Sequence, residues 1–369
     1  MNFDLSDEQK MLAEQTRGLL AERSTHDRLR GLIESGAEWD EALWGAMVEL
    51  GYPGLAIPEQ YGGLGLSALD LGVVSEALGG ACAAVPFFSS SVLAADAILL
   101  AGSEAQRERW LPGLASGERI ATFAYAEDGG GWPLGAGGVT LADGVLNGVK
   151  TPVADAGIAS LAVVLGQDID GPALAVVELD AAGVRREKLA SFDQLRAHHA
   201  LHFDGAAAER LEGSSAALIE ALFDRAAVQA AFEAVGGAAA CLVMARDYVM
   251  DRQIFGRSLG SYQAVKHRLA DLAVAIELAR SNAYYGAWAV DAAPGELAGA
   301  AAGARLTAAT AYEMGARENL QLHGGIGYTF EANCHFYYRR ERLLAIALGP
   351  RSFWADRLLA SLPDAGRTP

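Results

Sequence analysis

The sequence predicts an α+β protein of several domains, helical at both ends with a β domain between. Three observations carry this. Apolar residues recur at helical spacing up to about residue 118. The chain then breaks into short apolar segments punctuated by Gly, Asp and Pro, as strands and turns require. From Ser214 the helical period returns and lasts to the end. The boundaries expected are 1–118, 119–212 and 213–369.

In the first segment, Ser6 followed by Gln9 is a capping-box pair. It opens a helix with Leu5, Met11, Leu12, Leu19 and Leu20 available for burial. Asp40 caps a second helix containing Leu43, Met47 and Leu50, which stops at Gly51-Tyr52-Pro53-Gly54. Gly62, Gly63 and Gly65 suggest a phosphate cradle at first sight, but no Lys-Ser/Thr follows them. They read as a loop ahead of a helix starting near Ser67. Ser103 caps a further helix that Pro112 and Gly117 bring to a close.

Past Glu118, ATFAYA, GVTLADGVLNGVK, ASLAVVL, PALAVVEL and HALHF read as strands, with hairpin chemistry in 144–150. In the last segment, breaks fall near 256–260, 291–295 and 324–333. The stretch ARDYVMDRQIFGRSLGSYQAVKHRLADL reads as one long helix ending, a tight crossing and the start of another. Tyr262, Val265, Leu269, Leu272 and Ile276 form the stripe of a helix packed lengthwise in a bundle. Small residues at 236–240 and 298–304 leave room for a wide pocket.

Hydrophobic residues make up 51% of the 369, but no uncharged apolar run is long enough to span a bilayer. The polar, acidic opening MNFDLSDEQK is no signal peptide. A net charge of -17 argues against nucleic-acid binding and against an anionic membrane surface. Three scattered cysteines, Cys82, Cys241 and Cys334, form no CxxC pair, so neither disulfides nor a zinc site is expected and a cytoplasmic location is the default.

Arg252, Phe255, Gly256, Arg257 and Gly260 crowd the crossing between the two long helices. Cations there offset the negative end of a helix dipole. Guanidinium forks also bind phosphate oxygens, and Gly lets a bulky ligand near the backbone. The residues alone leave both readings open.

DEQKMLAEQTRGLLAE, GYPGLAIPEQYGGLGLSALD, RQIFGRSLGSYQAVKHRLADL and QLHGGIGYTFE together resemble the acyl-CoA dehydrogenase family over nearly the full length. The resemblance implies an acyl-CoA dehydrogenase-like fold, with a β-barrel-like central domain and a C-terminal four-helix bundle. It implies FAD as cofactor, an acyl-CoA thioester as substrate, an electron-acceptor flavoprotein and a tetrameric assembly. The reaction it implies is α,β-dehydrogenation, in which a carboxylate removes the α-proton and the flavin takes the β-hydrogen as hydride. By resemblance, Arg252, Phe255 and Gly256 bind the diphosphate of a neighbouring subunit's FAD. Gln321, Gly324 and Gly325 contact its adenosine half, and Gln263 faces the same cofactor.

Departures from the family are equally specific. Where a Thr-Glu-Pro-Gly run carries a flavin-binding hydroxyl, this chain reads Ala126-Glu127-Asp128-Gly129-Gly130-Gly131-Trp132. Where a Trp-Ile-Thr triplet stacks on the flavin, Asn147-Gly148-Val149-Lys150-Thr151 is followed by Pro152-Val153-Ala154. The two family positions for the catalytic carboxylate hold Ala226 and Leu348. Glu233 lies about two turns beyond Ala226, roughly 10 Å further along nearly the same helix face. It is the candidate relocated base, with a buried ion pair or an interface role as the alternative. Asp224 falls on the far side of that helix. Glu277 is set to pair with Arg280 or a neighbouring helix. Glu341 reads as part of a surface or interface cluster with Arg339, Arg340 and Arg342. His323 is either a loop residue packed under the adenine or one facing the flavin edge.

Residues that reach a neighbour's FAD are thus kept, while those serving the chain's own FAD are lost. This predicts one subunit of a heteromeric acyl-CoA dehydrogenase whose homologous partner supplies the catalytic Glu. Some bacterial members acting on steroid side-chain CoA thioesters resemble that arrangement. The alternatives are a self-sufficient homo-oligomer with Glu233 as base, a flavin monooxygenase or oxidase on the same scaffold, or a non-catalytic homologue.

Overall fold

The computed structural model describes residues 5–127 and 138–362. The run from Asp128 to Trp132, read above as a departure from the family, lies outside them. Helices lead: α1 (Asp7–Arg23), α2 (His26–Ser35), α3 (Glu41–Glu49), α4 (Ala68–Gly80), α5 (Ala95–Ala101) and α6 (Glu104–Ala115). Eight strands follow: β1 (Ala121–Ala124), β2 (Thr140–Ala142), β3 (Val145–Ala154), β4 (Leu161–Asp168), β5 (Gly171–Glu178), β6 (Val184–Leu189), β7 (His198–Ala207) and β8 (Glu209–Arg210). The C-terminal region holds α7 (Ala216–Asp251), a small hairpin β9 (Gln253–Ile254) and β10 (Arg257–Ser258), then α8 (Gln263–Ala292), α9 (Leu297–His323), α10 (Cys334–Ile346) and α11 (Arg351–Ser361).

The chain clusters into two compact units. One comprises Met1–Arg28, Ala68–Ala83 and Ala227–Pro369; the other comprises Leu29–Ser67 and Ala84–Ala226.

In the first unit the Ser6–Gln9 capping box forms in both directions, and Leu20 is buried. Met11 is the exception to the expected core, since it is 69% exposed. Helices α4 and α7 touch backbone to backbone, and glycine is what permits it. A Cβ on Gly79 would fall 2.0 Å from the Glu233 carbonyl oxygen, and one on Gly236 would fall 1.8 Å from that of Glu76. Gly236 therefore serves a helix crossing, and with Ala239 and Ala240 it also lines a groove, as the small residues at 236–240 suggested. Val265, Leu272 and Ile276 are buried along α8 as the stripe requires. The bundle also breaks at 347–350, between α10 and α11, which periodicity alone did not show. Helix α7 is long and apolar enough to cross a membrane, but 72% of its apolar window is buried, as in a core helix.

In the second unit Asp40 caps α3, and Leu43 and Met47 are buried. Helix α2 and the π-helical turn Phe87–Ala94 running into α5 escaped the sequence reading. Pro112 sits inside α6, not at its end. The strands form one curled sheet in the order β6-β7-β3-β2-β4-β5-β8, with β1 parallel to β4. Its core includes Val139, Leu146, Val164, Leu201 and Phe203. The tight hairpin turn is at Asp143-Gly144, both with positive φ, joining β2 to β3. Asn147-Gly148 instead lies within β3, at a register irregularity. Strand β6, rich in Arg and Glu, was not read as a strand; it is an edge, where charge is tolerated.

Candidate cofactor site

Helix α7 ends at Asp251, and the chain turns back through the β9–β10 hairpin. Ile254 pairs with Arg257 and Gln253 with Ser258, leaving a two-residue turn. Both turn residues are left-handed, Phe255 at φ 51 and Gly256 at φ 80. Gly takes that conformation freely, whereas Phe adopts it against steric preference. Phe255 stands 95% exposed at the tip.

The two arginines of this crossing have different surroundings. The Arg257 guanidinium lies 3.7 Å over the Tyr262 ring, whose hydroxyl donates to the Ile254 carbonyl at 3.1 Å. The exposed Arg252 side chain makes no ion pair among the described residues, while its backbone is fixed by bonds to Tyr248 and Leu259. A small core of Ala245, Val249, Val265 and Leu322, with Tyr248, Leu259 and Tyr262 against it, lies under the hairpin. That core brings together the end of α7, the start of α8 and the end of α9. Arg252, Gln263 and Gln321, each close in sequence to a member of it, are all exposed.

At the end of α9 the His323 ring stacks on Tyr248, centroids 4.1 Å apart, and its Nδ1 lies 2.8 Å from the Asn319 carbonyl oxygen. It is the last residue of the helix, not a loop residue. Burial pushes its pKa below the usual imidazole value, against the opposing pull of that carbonyl. Gly324 has φ 65 and ψ -143, a conformation open to glycine. A Cβ on Gly256, Gly324 or Gly325 would meet nothing within 4 Å. Gly325 is constrained by neither backbone sign nor neighbours and has open space beside it. Beside this end runs a groove of about 860 Å³, lined among others by His26, Asp247, Tyr248, Asp251, His323 and Tyr337. The sequence reading missed Tyr248 and Asp251, although both lie within one turn of Arg252 on α7. An unpaired cation, a stacked neutral imidazole and bare glycines fit an anionic nucleotide.

The acids have other positions. Glu233 is 4% exposed and accepts a 3.0 Å hydrogen bond from Arg340, itself 1% exposed. Arg340 also donates to the Ala83 carbonyl. Ala226 and Leu348 are buried, and Leu348 holds φ 59 with its carbonyl accepting from the Trp354 indole at 3.0 Å. Glu341, expected in a surface or interface cluster, is instead buried within the chain, and burial raises its pKa against the opposing hydrogen bond from Arg342. Arg280 bridges Glu277 and Glu76, as the spacing suggested for Glu277. Asp224 is buried.

On the β side, Lys150 is buried and its ammonium binds both Glu127 and the Tyr125 carbonyl. Burial tends to raise the Glu127 pKa, but the bonds from Lys150 and the Gly138 N–H outweigh it and leave the value lowered.

Comparison with known proteins identifies the family. The family "Acyl-CoA dehydrogenase, N-terminal domain" matches residues 6–118, and "Acyl-CoA dehydrogenase, C-terminal domain" matches 215–361. Acyl-CoA dehydrogenase IpdE2 of Mycobacterium tuberculosis is 31% identical over 90% of this chain and 91% of its own length. Among solved structures, the Tcur3481-Tcur3483 steroid ACAD variant superposes with a TM-score of 0.88 at 32% identity, covering 96% and 97% of the two chains. The ChsE4-ChsE5 complex from Mycobacterium tuberculosis gives 0.90 at 28%, covering 98% and 100%. The chain belongs to the acyl-CoA dehydrogenase family of flavin-dependent oxidoreductases, with FAD as cofactor.

Proposed function

We propose that this chain is one subunit of a heteromeric acyl-CoA dehydrogenase and serves a flavin whose base and stacking groups belong to a homologous partner. The observation that carries the reading is the Glu233–Arg340 pair. With Ala226 and Leu348 at the two family positions, Glu233 is the nearest acid on nearly the same face of α7 as Ala226, and its carboxylate is already held by a buried guanidinium. A charge so paired is a structural element, not a poised proton acceptor. The pairs named in two relatives, Tcur3481-Tcur3483 and ChsE4-ChsE5, support a two-chain assembly.

When bound, FAD supplies the hydride acceptor for desaturation of an acyl-CoA thioester. This chain's residues bind and orient. Arg252 holds the diphosphate through charge-assisted hydrogen bonds. Phe255 and Gly256 shape the approach to it, and Gln263 faces the cofactor from the first turn of α8. Gln321, Gly324 and Gly325 receive the adenosine half. His323, kept neutral by its burial, adds an aromatic face without adding charge. The substrate class favoured is a bulky, steroid-type acyl-CoA, with a cytoplasmic location and an electron-acceptor flavoprotein downstream.

Flavin counting tests this. The chain expressed alone is expected to purify without stoichiometric flavin, and co-expression with the partner to give one flavin per two chains. A yellow homo-oligomer with one flavin per chain would contradict it.

A further inference from the structure

The positions that the family resemblance gives to this chain's own flavin contacts are Ala126 and the Pro152-Val153-Ala154 run, and Ala226 is one of the two it gives to the catalytic carboxylate. All lie in the second unit. The Thr151 N–H donates to the Ala126 carbonyl at 2.8 Å, so the chain leaving β1 lies alongside β3 at these residues. Lys150 reinforces the contact by donating to the Tyr125 carbonyl at 3.1 Å.

Three aromatic rings occupy this place. Tyr125 directly precedes Ala126, and Phe123 is on β1. Phe223 stands one turn before Ala226 on α7, hence on the same side of the helix. Tyr125 and Phe223 meet edge to face, centroids 5.3 Å apart at 78°. Phe123 meets Phe223 likewise at 5.9 Å and 76°, and lies 6.0 Å from Tyr125. Phe123 and Phe223 are buried, and so is Ala226. Interlocked T-shaped rings are a favoured close packing and leave no planar gap between them. The polar side of the problem points the same way. Ala126, Val153, Ala154 and Ala226 have no hydrogen-bonding side chain, and Pro152 lacks even a backbone N–H.

We infer that Phe123, Tyr125 and Phe223 form an aromatic wedge that shuts this chain's own-side flavin half-site. The half-site is filled by packed side chains, not merely stripped of contacts, so that the chain engages flavin only through the Arg252 end. The inference rests on the two-subunit reading above, and adds to it a physical plug with named residues. Removing the rings reopens an apolar slot of the kind that binds planar ligands, as dry engineered cavities do.

The test uses lumiflavin, the isoalloxazine ring without its nucleotide, titrated by fluorescence quenching. The full chain carrying Tyr125→Ala with Phe223→Ala, together with its partner where one co-purifies, is expected to bind the probe at least about tenfold more tightly than the unaltered protein. Loss of the buried Phe223 ring together with the half-buried Tyr125 ring can prevent folding, so Tyr125→Val alone is the second variant, with circular dichroism to establish its fold. A folded variant that binds lumiflavin no better than the parent overturns the wedge. Flavin counting on the unaltered complex is read separately: one FAD per chain overturns the partner model and the wedge together, whereas one FAD per two chains with no gain in lumiflavin binding by the folded variant overturns the wedge alone.

Discussion

Arg340 and Glu233 form a 3.0 Å ion pair with both side chains almost wholly withdrawn from water. Breaking such a pair strands a charge in a low-dielectric interior, at about 3–5 kcal/mol. Glu233→Gln is therefore expected to lower stability by about that amount in denaturant titrations. Glu233→Leu combined with Arg340→Met is expected to recover most of it. If Glu233→Gln left stability unchanged and abolished turnover, the residue would be a base and not a strut.

Arg252 has no ion-pair partner among the described residues, whereas Arg257 is seated on Tyr262. A charged hydrogen bond contributes about 1.5–3 kcal/mol. Arg252→Ala is thus expected to weaken FAD binding by the assembled enzyme roughly 10- to 100-fold. Arg257→Ala is expected to cost far less. Equilibrium titration with FAD separates them, and equal losses would argue against the diphosphate role of Arg252.

His199 is buried beside Glu38, with Lys188 and Arg186 nearby. Burial lowers its pKa most, Glu38 opposes this, and the two cations add to the lowering. The fold thus favours the neutral ring, and the unfolded chain binds the proton more readily. Stability is expected to be full above the ordinary value of 6.5 and to fall as pH drops below it, towards the folded pKa. His199→Phe should flatten that part of the stability–pH curve. A curve as steep as the parent's would assign the slope to other groups.

Leu348 is fully buried at one of the two positions where the family carries its carboxylate. Restoring the acid by Leu348→Glu places an unpaired carboxyl where only an apolar side chain is accommodated. The expected cost is about 3 kcal/mol or more at neutral pH. Burial raises the folded pKa of such an acid, so the cost should shrink as pH falls through the carboxylate range. Thermal melts between acidic and neutral pH check this; a variant as stable as the parent at pH 7 would mean that a charge at 348 finds solvent or a partner.

Gly236 gives the α4–α7 contact its closeness, since a Cβ there would sit 1.8 Å from the Glu76 carbonyl oxygen. Gly236→Ala must push the helices apart and is expected to cost about 1–3 kcal/mol. Gly18→Ala on α1, where a Cβ meets nothing within 4 Å, is the control and should be neutral or slightly stabilising. Equal melting temperatures for the two variants would place the helix contact elsewhere.

What the sequence alone determined was local or carried by motif. The capping box at Ser6, the cap at Ser103, the change of texture near Glu118 and the stripe on α8 follow from short-range preferences that any chain of this wording would share. The R-x-x-F-G and Q-x-x-G-G wording marked the candidate cofactor residues in the same way. The tertiary structure decided what depends on neighbours distant in sequence. Glu341, read as part of a surface or interface cluster, is buried; Glu233 is claimed by Arg340, far along the chain; and Gly236, besides lining the groove, serves a helix crossing. Burial and pairing are properties of packing between segments, and no periodicity within one segment encodes which residue another will present to it.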